Sequence, residues 1–232
     1  MDNMICANLY GDSLLRFTVL DEAGRYRSLA AAFLSRLAER FGIRAVSRAH
    51  FGYTVDRGRK LLDRDLRAPL DCRYALLEYG GNDCDHDWKA VAAAPDAAHG
   101  PKTPLSDFTK TLSGMADDLA AAGAVPVFMT LPPIDAERYL AFIGRCGADA
   151  RSVLRWLGDV QMIYRFHESY SDAVLKLAGE KGLPIVDVRS YFLDKHNYPS
   201  LLSQDGIHAN EEGYALFFAA FEDFLAAHGF GT

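Results

Sequence analysis

Cysteine is scarce in this chain and never closely paired: Cys6, Cys72, Cys84 and Cys146 are the only four in 232 residues, and no two form a C-x-x-C. Four dispersed cysteines with no C-x-x-C pair make zinc and disulfide readings both poor, so reduced thiols in a cytosolic protein are expected. Basic blocks are missing as well. The 25 Lys and Arg are outnumbered by 31 Asp and Glu, for a net charge of -6. A nucleic-acid partner is therefore not expected, because its phosphates require clustered cations. No apolar run approaches the roughly 20 residues of a membrane span. The N-terminal Met1-Asp2-Asn3-Met4 carries an acid where a secretory signal carries bases, and a soluble, unexported protein is the expectation. There is no G-x-S-x-G, which excludes the nucleophile elbow of the α/β-hydrolases. Internal repeats and low-complexity tracts are absent too.

What is present fits one α/β domain spanning residues 1–232, half of them apolar, with 19 Gly and 9 Pro spread along the chain. The apolar run Met4 to Tyr10 stops at Gly11-Asp12-Ser13, a buried strand giving way to a tight turn with Ser13 at the strand's carboxyl end. Leu29, Phe33, Leu37 and Phe41 mark an amphipathic helix that Gly42 ends. Strands are expected at 43–47, 74–79, 125–130 and 184–188. Pro126 belongs at a strand start or near an edge, because it lacks a backbone donor. Helices are expected after Val55, from Phe108 to Leu119, from Ile163 to Leu177, and after Asn210, which caps the last one. Segment 84–104 reads as irregular, and 131–158 reads as holding a small helical insertion. Strands alternating with helices imply a mostly parallel sheet in a three-layer α/β/α sandwich. In such sheets ligands bind at the carboxyl ends of the strands, so Ser13, Gly52, Asn82 and the Asp205/His208 loop converge on one rim.

A serine hydroxyl needs a base within hydrogen-bond reach, and the base needs a group to hold its tautomer. Ser13, His208 and Asp205 fit those roles, with Asp205 and His208 three residues apart. Attack on an acyl carbonyl makes an oxyanion that requires fixed donors. The N–H groups of Ser13 and Gly52 and the side-chain amide of Asn82 are the candidates. Gly11-Asp12-Ser13, then Gly80-Gly81-Asn82-Asp83, then Asp205-Gly206-Ile207-His208, in that order over nearly the whole chain, resemble the SGNH (GDSL-type) hydrolase family. The resemblance implies a flavodoxin-like five-stranded parallel sheet in the order 2-1-3-4-5, and it assigns the same catalytic and oxyanion roles to the matching residues. Two positions depart from the family pattern: Ser47 stands where members often carry Asn, and Phe51 precedes Gly52 where many have a small residue.

Other polar residues have plainer readings. Asp12 and Asp83 are expected to brace their turns, and His167 to be a hydrogen-bonded core histidine. Adjacent residues seldom point at one centre, so Asp85-His86-Asp87 reads as a solvated loop and not a metal site. No cofactor or metal is expected. The expected activity is hydrolysis of a small-molecule carboxylic ester through an acyl-enzyme, removing a short acyl group such as acetyl from a carbohydrate or similar polar carrier. Asp87, Arg138 and Arg145 are candidates to bind that carrier, with Trp88, Tyr139, Phe142 and Trp156 as aromatic walls. A lysophospholipase or thioesterase is the alternative within the class, and a non-catalytic binding module the alternative outside it.

Overall fold

The structure is a computed structural model that describes residues 4–21 and 23–230. The chain opens with β1 (Ile5–Gly11), then a hairpin of β2 (Thr18–Leu20) and β3 (Tyr26–Ser28), then α1 (Ala30–Phe41), β4 (Ile43–Ser47), α2 (Val55–Asp65) and β5 (Tyr74–Glu78). A short α3 (Trp88–Ala93) precedes α4 (Leu105–Ala121), β6 (Val125–Met129), α5 (Ala136–Arg145), α6 (Ala150–Leu157) and α7 (Gln161–Lys181). The last elements are β7 (Ile185–Val186), α8 (Val188–Leu193), a 3-10 turn (Tyr198–Leu201) and α9 (Glu211–Ala227).

The main sheet is parallel, in the order β4-β1-β5-β6-β7, which is the 2-1-3-4-5 order that the family resemblance implies. β1 is an interior strand, paired with β4 on one side and β5 on the other, and its Ala7 to Gly11 are buried because helices cover both faces. On one face, Phe33 of α1 packs edge-on against Phe218 and Phe221 of α9, and Phe192 of α8 against Phe217. On the other, α2, α4 and α7 pack together, with Phe108 against Tyr170. Gly42 ends α1 in the left-handed conformation (φ 62°), and Asn210 caps α9 by accepting the Gly213 N–H at 2.9 Å. Pro126 is the second residue of β6 and lies outside the two-residue pairing with β7, so its missing donor interrupts no ladder there.

Several elements differ from the sequence reading. The β2–β3 hairpin was not expected, since strands of three residues carry no usable alternation. Segment 84–104 is not wholly irregular: Asp87 caps α3 by accepting the Ala90 N–H, and Trp88 and Val91 are buried. The insertion at 131–158 is two helices, each capped by an aspartate, Asp135 and Asp149. β7 stops at Val186, because Asp187 caps α8 and turns the chain into a helix. Helices α3, α5, α6 and the start of α7 enclose a second apolar cluster, including Trp88, Val91, Ile134, Ile143, Val153 and Ile163. That cluster forms one wall beside the carboxyl rim.

Candidate active site

Ser13 lies in the turn directly after β1, and its Oγ is 2.8 Å from His208 Nε2. His208 Nδ1 is 2.7 Å from Asp205 Oδ2. A carboxylate only accepts, so Nδ1 carries the ring proton and Nε2 is left to accept from the serine hydroxyl. The other carboxylate oxygen, Asp205 Oδ1, accepts the N–H groups of Ile207 at 3.1 Å and His208 at 3.0 Å. Burial pushes the Asp205 carboxyl up, but its bonds from the His208 ring and from the two N–H groups outweigh this and hold it below the usual carboxylate range. The Tyr26 hydroxyl also donates to Asp205 Oδ2, at 3.1 Å.

The second half of the site comes from the end of β5. Asn82 Nδ2 donates to Asp12 Oδ2 at 2.7 Å, and Asp12 Oδ1 accepts the Leu14 N–H at 2.8 Å, so Asp12 braces the serine turn and orients the Asn82 amide together. The register pairs Gly11 with Glu78, and a Cβ at Gly11 would meet Glu78 Oε2 at 2.9 Å and Glu78 O at 2.9 Å. Only glycine fits there. Glu78 Oε2 accepts the Asp12 N–H at 3.3 Å, and burial pushes the Glu78 carboxyl well up, with the Asp12 charge beside it adding to the effect. Asp83 accepts the Val55 N–H at 3.0 Å and so braces the start of α2, while burial pushes its carboxyl up to about 7. Asp12 is the turn brace that the sequence reading expects, whereas the Asp83 carboxylate braces a distant element, the start of α2. Gly52 occupies a left-handed turn (φ 73°) between β4 and α2. Its neighbour Phe51 lines the cavity in front of Ser13, whereas Gly52 itself does not.

That cavity has a volume of about 210 Å³ and takes in Ser13, Asn82 and His208 at one end and Trp88, Tyr139, Ile163 and Phe166 of the second cluster at the other. Trp88, Tyr139 and Phe142 line it as the sequence reading proposed, but Trp156 packs behind them on His86. The proposed carrier contacts are corrected. Arg138 Nη1 donates to the carbonyls of Pro199, Leu202 and Ser203, at 2.9, 3.1 and 3.2 Å, and Arg145 Nη2 donates to Gln204 O at 3.0 Å. Both arginines therefore hold the loop before Asp205, and Asp87 is occupied as a helix cap. The segment Asp85-His86-Asp87 is not a solvated loop. Asp85 accepts from Trp88 Nε1 at 2.6 Å, Tyr139 Oη at 3.0 Å and Lys102 Nζ at 2.7 Å, and His86 is buried among aromatic rings. Among the described residues no group of three His, Cys, Asp or Glu side chains is placed to hold a metal ion.

Sequence reasoning missed Tyr26, Phe51, Ile163 and Phe166, and it misread His167. The His167 ring is buried and lines the cavity, yet its Nδ1 has no hydrogen-bond partner. Burial, with the Arg189 charge nearby, pushes it down to about 3, so it is a neutral imidazole. Its helical spacing with Ile163 and Tyr170 signalled a buried face correctly and said nothing of the cavity that the face borders.

A parallel 2-1-3-4-5 sheet carrying a serine, a histidine and an aspartate in one hydrogen-bonded line at its carboxyl rim defines a class, the serine hydrolases of SGNH type. The chain belongs to the GDSL-like Lipase/Acylhydrolase family, whose model matches residues 9–216. Among curated proteins it is 22% identical to the GDSL esterase/lipase WDL1 of rice (Oryza sativa subsp. japonica) over 209 residues, covering 88% of this chain and 71% of that one. It is 25% identical to the isoamyl acetate-hydrolyzing esterase of Saccharomyces cerevisiae over 218 residues, covering 90% and 81%. The crystal structure of a catalytic mutant of Axe2, an acetylxylan esterase from Geobacillus stearothermophilus, has the same fold, with a TM-score of 0.66, 19% identity and coverage of 97% and 96%. Among the described residues no helix is long and apolar enough to cross a membrane.

Proposed function

We propose that the protein is a cofactor-independent esterase that removes short acyl groups, acetyl above all, from a carbohydrate or similar polar carrier. The observation that carries this is the Ser13–His208–Asp205 line opening into a cavity of about 210 Å³. Ser13 attacks the ester carbonyl while His208 Nε2 takes its proton. The imidazolium that forms is held by Asp205 and then protonates the leaving alcohol, and water repeats the cycle on the acyl-enzyme. The oxyanion is bound by the Ser13 N–H and the Asn82 amide, of which Asn82 is the better supported by its fixed orientation on Asp12, while the Gly52 N–H that the family resemblance adds belongs to a residue that does not line the cavity. Names of relatives point the same way, since one acts on isoamyl acetate and another is an acetylxylan esterase. Exposed Tyr26 and Phe51, rings 4.9 Å apart at the cavity mouth, suit stacking against a sugar ring.

A lysophospholipase or thioesterase is the second reading, favoured by the apolar wall of Trp88, Ile134, Phe142, Ile163 and Phe166. Esters of one chromogenic alcohol with acyl chains of two to twelve carbons separate the two. On the short-acyl reading kcat/KM peaks at the two- to four-carbon end and survives chelators. A steady rise with chain length would transfer the case to the second reading.

A further inference from the structure

Asp205 Oδ2 receives two donors, His208 Nδ1 at 2.7 Å and the Tyr26 hydroxyl at 3.1 Å. The phenol comes from β3, on the hairpin that inserts between the Ser13 turn and α1. The hairpin is tied down at several points. Leu20 N–H donates to Ser203 Oγ at 3.3 Å, the Tyr214 hydroxyl of α9 donates to Thr18 O at 2.9 Å, and Arg27 pairs with Glu211. Tyr26 itself packs edge-on to the His208 ring, centroids 5.3 Å apart, although it is 40% exposed on its outer side.

We propose that Tyr26 is a positioning residue that tunes the basicity of His208, by sharing the carboxylate oxygen that holds the imidazole. This rests on the reading of His208 as the general base. A phenol bonded to Asp205 draws off part of the carboxylate charge that would otherwise stabilise the imidazolium. His208 then stays neutral, and able to accept the serine proton, to lower pH. Burial and the adjacent Asp205 charge push the Tyr26 phenol up, so it remains a donor throughout the working range. The other titratable groups facing the pair are Asp12 from the turn after β1 and Tyr214 from α9, with Cys146 beyond α5 acting on Tyr26. None of these is altered by removing one hydroxyl.

The test is Tyr26→Phe, which keeps the ring and its packing. The pH profile of kcat/KM on a short-acyl ester and an NMR titration of the His208 ring are measured for wild type and variant, beside thermal melts and fluorophosphonate labelling. The expected result is an acid limb displaced to higher pH by about half a unit to one unit, the ring titration moving with it, melting retained, and Ser13 still the residue that the probe labels. A limb and a ring titration that stay in place, or that move to lower pH, overturn the proposal. If wild-type enzyme shows no acid limb, or the probe labels a residue other than Ser13, the general-base reading itself fails and takes this proposal with it. The ring titration distinguishes the two cases, because it does not depend on turnover.

Discussion

Asn82 commits one amide N–H to Asp12 at 2.7 Å, which leaves the second directed by the same bond rather than by its own rotation. A donor held this way stabilises charge that develops during reaction without reorganising, and removing one such donor typically costs about 100- to 1000-fold in kcat. Asn82→Ala is therefore expected to lose kcat in that range with KM nearly unchanged; a variant whose KM rises while kcat holds would make Asn82 a substrate-binding residue. Ser13→Ala is expected to lose on the order of a thousandfold or more while melting like wild type. Near-native ester hydrolysis by that folded variant would remove Ser13 from the mechanism. Ser13, Asn82, Asp205 and His208 stand out in sequence because each sits in a short polar block where an apolar run or a helix cap changes the pattern. Tyr26 has no such mark: its role depends on a hydroxyl reaching a residue 179 positions away.

At the scale of elements, α5 holds the loop that carries Asp205 and His208. Arg138 donates to three carbonyls of residues 199–203, and the Asp135 N–H donates to Gly206 O at 2.8 Å. Gly206 has φ 78°, and a Cβ there would meet Asp135 O at 2.8 Å, so the loop turns tightly against the helix at the residue following Asp205. Arg138→Met keeps the aliphatic stem and leaves these carbonyls without their donor. A loss of about 1–3 kcal/mol in stability is expected, with kcat falling because the Asp205–His208 segment is less well held. Urea unfolding and labelling rate at Ser13 check this; full activity with unchanged stability would show that α5 does not support the site. Two arginines in an aromatic insertion read from sequence as ligands for a carrier, because periodicity reports which face is buried and not which carbonyls a long side chain meets.

The whole molecule carries opposed buried titrations. Asp83 is pushed up to about 7, so the native state keeps a proton that the unfolded chain releases near pH 4, and this contribution to stability is lost as pH rises from about 4 to 7. His167 is pushed down to about 3 and has the opposite sign: the unfolded chain binds a proton below about 6.5 that the native state refuses, so this contribution grows as pH rises from about 3 to 6.5. In the window from about pH 4.5 to 6.5 the two offset. Asp83→Asn, which keeps an acceptor for the Val55 N–H, is expected to make the slope of unfolding free energy against pH more positive by up to about 1.4 kcal/mol per unit, and His167→Gln more negative by as much. Urea unfolding at pH 5 and 6.5 measures both, and equal slopes in wild type and Asp83→Asn would show that Asp83 is ionised in the native state.

By itself the sequence determined what is local in origin. Alternation of strands and helices placed the serine, Asn82 and the Asp-x-x-His block at carboxyl ends of a parallel sheet, since 2.0 and 3.6 residue periods, glycine stops and aspartate or asparagine caps act over a few residues. Glycine at position 11 is a different case. Its need arises from the β1–β5 register, which sets it against Glu78. Only tertiary structure decided that Tyr26 and Phe51 flank His208, that α3, α5 and α6 build a second core behind a small cavity, and that Arg138 and Arg145 serve a loop and not a ligand. Those features depend on contacts between segments far apart in the chain, whose partners are chosen by packing after the elements form.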